Sequence, residues 1–287
     1  MLDSCPYMTT GFPSLTTRSA YWQVSRAPRY SLLFALPLLL FYQILAVLLA
    51  HGPRSVRNGA DVILQGLFTA VAGAWGPPVF MLCLIGGGLW LVVRDMRSHG
   101  SRLRGGVFVT MLGESVGLAL VFGLCVGSVT SGVLGLLQTL SLGPGGDSRL
   151  DVWTHLMVSL GAGIYEELLF RVLLVGALAA GARALLGWRP MTAGVAATVL
   201  GAAIFSAFHY IGPYGDQLQV YSFVFRMVAG LFFSALYLVR GFGITAWTHA
   251  LYDVSLLLLH SMGTRRADAQ KMQRLDAQTH GGEQHTG

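Results

Sequence analysis

Residues 31–50 read SLLFALPLLLFYQILAVLLA, twenty positions without a charged side chain. A helix of that length spans about 30 Å, the thickness of a bilayer's hydrocarbon, where only helices and closed barrels satisfy every backbone N–H and C=O. The stretch predicts an all-α, polytopic integral membrane protein. Arg18, Arg26 and Arg29 precede it as a signal peptide's basic region would, but twenty apolar residues with no small-residue cleavage pattern read as an uncleaved anchor.

The composition agrees. Of 287 residues, 54% are hydrophobic and 11% charged, and the mean hydropathy is +0.61. Soluble domains carry about 25% charge. The net charge of +6 comes from scattered residues, 18 arginines and the single lysine Lys271, which excludes a nucleic-acid face. Cys5, Cys83 and Cys125 are an odd number and form neither a disulfide framework nor a metal motif.

Working outward, Asp61–Ala74 is apolar but short, and Gly76-Pro77-Pro78 separates it from a span at Val79–Val93. The first piece reads as a re-entrant or tilted half-helix. Further spans are expected at Val107–Val126, Trp153–Ala180, Thr192–Phe208, Val220–Val239 and Ile244–Leu259, with a second half-span at Ser128–Leu140. That makes about seven to eight transmembrane helices. Basic loops face the cytoplasm, so Arg18, Arg26 and Arg29 put the N-terminus inside, followed by Arg94, Arg97, Arg102 and Arg104, then Arg183 and Arg189. Seven spans would leave the tail with Arg265, Arg266, Lys271 and Arg274 outside, an exception to the rule. The expected organisation is a flexible lead over 1–29, a transmembrane domain over 30–262 with its motif-bearing core at 150–260, and a polar, disordered tail over 263–287. The arginine, alanine and glycine bias suggests a GC-rich bacterial source, and so the cell (inner) membrane.

An ionisable side chain at the centre of a span costs at least ~2.5 to 3.5 kcal/mol, so each is a functional candidate. The spans hold Glu114, His155, Glu166, Glu167, Arg171, His209, Arg226, His249 and Asp253. Glu114, His155 and Arg226 read individually as packing residues. In Gly163-Ile164-Tyr165-Glu166-Glu167-Leu168-Leu169-Phe170-Arg171, Glu167 and Arg171 are four apart with the acid first, the favoured ion-pair order. Glu166 is turned about 100° away with no such partner, leaving a carboxylate for acid–base work. His209 ends a span one turn after Phe205, and His249 and Asp253 share a face at i,i+4. The set supplies what hydrolysis by an activated water requires: a base, a group to hold the water and a donor for the oxyanion.

Glu-Glu-x-x-x-Arg (Glu166, Glu167, Arg171), Phe-x-x-x-His (Phe205, His209) and His-x-x-x-Asp/Asn (His249, Asp253), in this order and in apolar segments, resemble the CPBP family. This is the CAAX-protease and bacteriocin-processing group, also called Abi, of glutamic-type intramembrane endopeptidases. The resemblance implies that Glu166 activates water with help from His209, that His249 and Asp253 stabilise the oxyanion, and that Glu167 and Arg171 support the site. It implies a membrane-anchored or lipid-modified protein substrate, cut near its C-terminus, in the bilayer and without nucleic acid. The mechanism expected is metal-free, with zinc at Glu166, His209 and His249 as the alternative. No His-Glu-x-x-His and no Gly-x-Ser-x-Gly occurs. The rival readings are a non-enzymatic bacteriocin-immunity protein and a proton-coupled transporter.

Overall fold

The computed structural model describes residues 18–50, 56–100, 102–135, 151–212 and 215–258. Among them the secondary structure is helical throughout. Helix α1 is Arg18–Arg26, α2 Pro28–Leu48, α3 Gly59–Ala72, α4 Gly76–His99 and α5 Gly105–Gly135. One long helix follows, with α6 at Val152–Gly161, a π-helical segment at Ala162–Val175 and α7 at Gly176–Leu186. Helix α8 is Pro190–Phe208 and α9 is Val220–Arg240. Residues 242–258 form α10, which runs to the edge of the described chain. Six helical stretches among the described residues are long and apolar enough to cross a membrane. The chain is a multi-pass membrane protein.

Local chemistry sets the boundaries. Pro28 and Pro190 stand in the first turns of α2 and α8, where a missing N–H costs nothing. Asp151 caps α6 by accepting from the Trp153 and Thr154 N–H groups. Its carboxyl is held below the usual range by the Thr154 hydroxyl and these amides. Gly187, at φ +64°, closes α7 in the left-handed conformation that glycine adopts freely.

Four expectations are corrected. Arg18–Arg26 is helical within the lead read as flexible. Gly76-Pro77-Pro78 does not break the chain but opens α4, and the break falls earlier, in a short 3-10 turn at Gly73–Trp75. The half-span from Ser128 is continuous with α5 as far as Gly135, and the rest of it lies outside the described residues. The segment carrying Glu166 and Glu167 is π-helical, where a regular helix was assumed. Residues 1–17 and the tail at 263–287 also lie outside the described residues.

The half-helix reading fits α3. At 14 residues it is about 21 Å long, too short to span. It packs along α4, and its N-terminus meets the π segment in mid-helix through Asn58 and Glu166. The interior is mostly apolar but also takes in polar and charged side chains, while large apolar ones cover the outside. Leu40, Phe41, Leu120 and Leu124 point outward, whereas Asn58, Asp61, Glu167 and Arg171 are buried. Apolar packing around Leu38, Tyr42, Met157, Tyr165 and Ala246 joins α2, α6, the π segment and α10. Gly161 and Gly163 allow that closeness, since a Cβ would strike Tyr42 and Asn58 at the first and the Ala246 carbonyl at the second.

Candidate active site

Glu166 and Glu167 are adjacent on the π segment and face different partners. Glu167 is fully buried. Its Oε2 stands 3.2 Å from Arg171 Nε, an ion pair rather than an aligned hydrogen bond. Its Oε1 lies 2.7 Å from His249 Nδ1. Glu167 is thus a bridge between its own helix and α10. Arg171 keeps Nη1 and Nη2 without a hydrogen-bond partner among the described residues. Instead its guanidinium lies 4.4 Å from the Phe205 ring centre and 5.5 Å from that of Phe233. Those π faces stabilise a desolvated cation by about 2 kcal/mol or more.

The expectation of an unpartnered Glu166 is corrected. Its Oε1 accepts a 2.9 Å hydrogen bond from Asn58 Nδ2, and its Oε2 faces His209 Nε2 at 4.0 Å. Both partners come from distant parts of the chain, the N-cap of α3 and the end of α8. His209 sits just past Phe208, with Nδ1 2.9 Å from the Phe205 carbonyl oxygen. A carbonyl only accepts, so Nδ1 carries the proton, and Nε2 is the nitrogen turned to Glu166.

On α10, His249 Nε2 approaches Asp253 Oδ2 at 3.7 Å across one turn. The His249 ring stacks on Phe233 at 4.1 Å between centres. Phe205 ties the parts together: its ring centre is 4.9 Å from that of His209 and 6.4 Å from that of His249. Glu166, Glu167, Arg171, His209, His249 and Asp253 therefore stand in one cluster built by the π segment, α8 and α10. Among the described residues, no three His, Cys, Asp or Glu side chains form a group able to hold a metal ion.

The residues read as packing take other places. Glu114 accepts two hydrogen bonds from Arg240, at 2.6 and 2.7 Å, and one from Tyr21 at 2.6 Å. Arg226 pairs with Asp216 and lies over the Tyr210 ring. Among the described residues, no hydrogen bond or ion pair joins His155 to the cluster.

The sequence reading missed Asn58 and the group beneath it. Asp61, fully buried, accepts from Tyr42 Oη at 2.7 Å, Arg57 Nε at 2.7 Å and Gln65 Nε2 at 2.6 Å. Tyr42 Oη also accepts from the Asn58 N–H at 3.2 Å. Gln43 donates to Tyr165 Oη, on the residue before Glu166, at 2.5 Å. The available signal was Asn58-Gly59 ahead of an apolar run, an N-cap pattern.

A comparison with known families bears out the resemblance read from the three motifs. Residues 148–255 match the family described as type II CAAX prenyl endopeptidase, Rce1-like. No curated protein and no solved structure matches the chain.

Proposed function

We propose that this protein is an intramembrane endopeptidase that hydrolyses a peptide bond of a membrane-anchored or lipid-modified protein, near its C-terminus, with water activated by Glu166. The observation carrying this reading is the approach of Glu166 Oε2 to His209 Nε2 at 4.0 Å, within the segment that matches the CAAX endopeptidase family. Two acceptors so spaced can both take a hydrogen bond from one water at about 2.8 Å from each.

In the mechanism, Glu166 Oε2 removes a proton from that water as the oxygen attacks the scissile carbonyl carbon. His209, its Nδ1–H bound to the Phe205 carbonyl, keeps the Nε2 lone pair on the water and fixes its direction. The oxyanion is met from α10. His249, held through Nδ1 by Glu167, offers Nε2–H as an imidazolium. Asp253 acts beside it as a protonated donor, because an ionised carboxylate would repel the oxyanion. Glu166, now an acid, delivers its proton to the leaving amine, and the C–N bond breaks. Glu167 and Arg171 touch no reacting atom; they hold His249 and the π segment. No step requires a metal.

A quenched fluorogenic peptide with a farnesylated CAAX end, presented to protein in proteoliposomes, tests the reading. The wild type cleaves it, and Glu166→Gln, which keeps size but cannot take the proton, loses about 10²- to 10⁴-fold in kcat. Wild-type turnover by Glu166→Gln would remove Glu166 from the chemistry.

A further inference from the structure

We infer that Asn58 is a positioning residue for the Glu166 carboxylate, fixing which of its two oxygens meets the water; the inference rests on the proposed role of Glu166. Asn58 is 1% exposed and is gripped at three points. Its backbone N–H donates to Tyr42 Oη at 3.2 Å, and its Oδ1 accepts from the Ala60 N–H at 2.9 Å as the cap of α3. Its Nδ2 donates to Glu166 Oε1 at 2.9 Å.

The orientation of the amide is forced. The Ala60 N–H can only donate, so the atom facing it is the oxygen, and the NH₂ must face Glu166. Tyr42, whose hydroxyl proton goes to Asp61, has only lone pairs left for the Asn58 N–H. Arg57 and Gln65 complete the shell of Asp61 and so hold Tyr42 in place. Glu166 Oε1 is thereby occupied, and Oε2 alone is turned to His209. The N-terminal half of the chain, outside the matched segment, in this way supplies a part of the site.

The other groups around Glu166 leave this task to Asn58. His209 faces the second oxygen, while His249 and Arg171 act on the carboxylate electrostatically without a hydrogen bond to it. Glu167 is bonded to His249 and Asp253 approaches the same ring, so neither supplies a hydrogen bond to Glu166.

Two variants that keep the helix cap separate positioning from folding. Serine and aspartate both cap helices well. Asn58→Ser keeps an acceptor for Ala60 but cannot reach Glu166, and Asn58→Asp keeps the shape while setting a carboxylate against Oε1. With the farnesylated CAAX peptide as probe, both variants are expected to lose about 10- to 100-fold in kcat, by analogy with the outer partners that orient metal ligands. KM stays unchanged. Asn58→Asp regains activity on acidification, because one shared proton lets the new carboxyl donate as the amide did; Asn58→Ser does not. A second readout needs no turnover. In acid-minus-neutral infrared difference spectra, the Glu166 carboxyl band, identified by its loss in Glu166→Gln, shifts in Asn58→Ser. Wild-type kcat in both variants, or an unmoved band, overturns the assignment of Asn58. Wild-type cleavage by Glu166→Gln overturns the premise instead, and the two failures are told apart by which variant stays active.

Discussion

Asp253 occupies a position where the CPBP resemblance accepts either Asn or Asp, and the two share one capability: each can donate a hydrogen bond, Asn always and Asp when protonated. Its separation of 3.7 Å from His249 Nε2 puts that donor beside the imidazole. Asp253→Asn is therefore expected to cleave at a rate within about threefold of wild type, and to lose the fall in activity as pH rises through the titration of Asp253. A pH–rate profile of both proteins decides it; a dead Asp253→Asn would mean that the negative charge is what is used. The motif residues were legible because each pair sits within one turn, where spacing alone predicts contact: Glu167 with Arg171, Phe205 with His209, His249 with Asp253. Asn58 was not legible as a site residue, because its partner lies 108 positions away and an N-cap signal says nothing of what the free side of the amide will meet. Asp61 was read only as the first residue of a half-helix, although Arg57 and Gln65, which hold it, lie four positions to either side.

Among the elements, the π segment carries the site, and no residue in Ala162–Val175 announces it. Gly161 and Gly163 let it approach Tyr42, Asn58 and the α10 backbone, and π turns are found frequently at functional sites. Gly163→Ala would force a methyl onto the Ala246 carbonyl and within 2.9 Å of Ala250 Cβ. It should destabilise by about 1 to 3 kcal/mol through overpacking and loosen the Glu167–His249 bridge. Gly176→Ala, in open space, is the control and should gain about 0.5 to 1 kcal/mol as a helix-interior glycine replaced. Thermal unfolding in detergent measures both, and equal melting temperatures would contradict the close approach. Helix starts, by contrast, were readable to within about three residues from the apolar runs that a bilayer requires, whereas α4, α5 and α7 run on past their expected ends to His99, Gly135 and Leu186. The start of α4 was misjudged because proline, a breaker inside a helix, is at ease in its first turn.

Across the whole molecule, most of the described arginines gather at one end, while Arg226 pairs with Asp216 in the connection at the other. Arg29 donates to the Gly100 carbonyl and pairs with Asp95, Arg26 donates to the Leu238 carbonyl, and Arg240 joins Glu114 and Ser25. The alternation of helices places the α7–α8 turn with Arg183 and Arg189 at that same end, and the α8–α9 connection at the other. Cysteines introduced at Arg97 and Arg189 in a cysteine-free background should react with an impermeant maleimide from one side of the membrane, the cytoplasmic side by the basic-loop rule, and one at Gln217 from the opposite side. Labelling of all three from one side would refute the arrangement. The burial of the Glu167–Arg171 pair, with side chains 0% and 2% exposed, has a further consequence. Mobile ions screen charge over roughly 8 to 10 Å of water at ordinary ionic strength, but they do not enter a packed interior. Added salt therefore weakens the attraction of the arginine end for an anionic lipid surface and leaves the field across the cluster as it was, so that one chain carries two electrostatic systems, only one of which the surrounding solution can adjust.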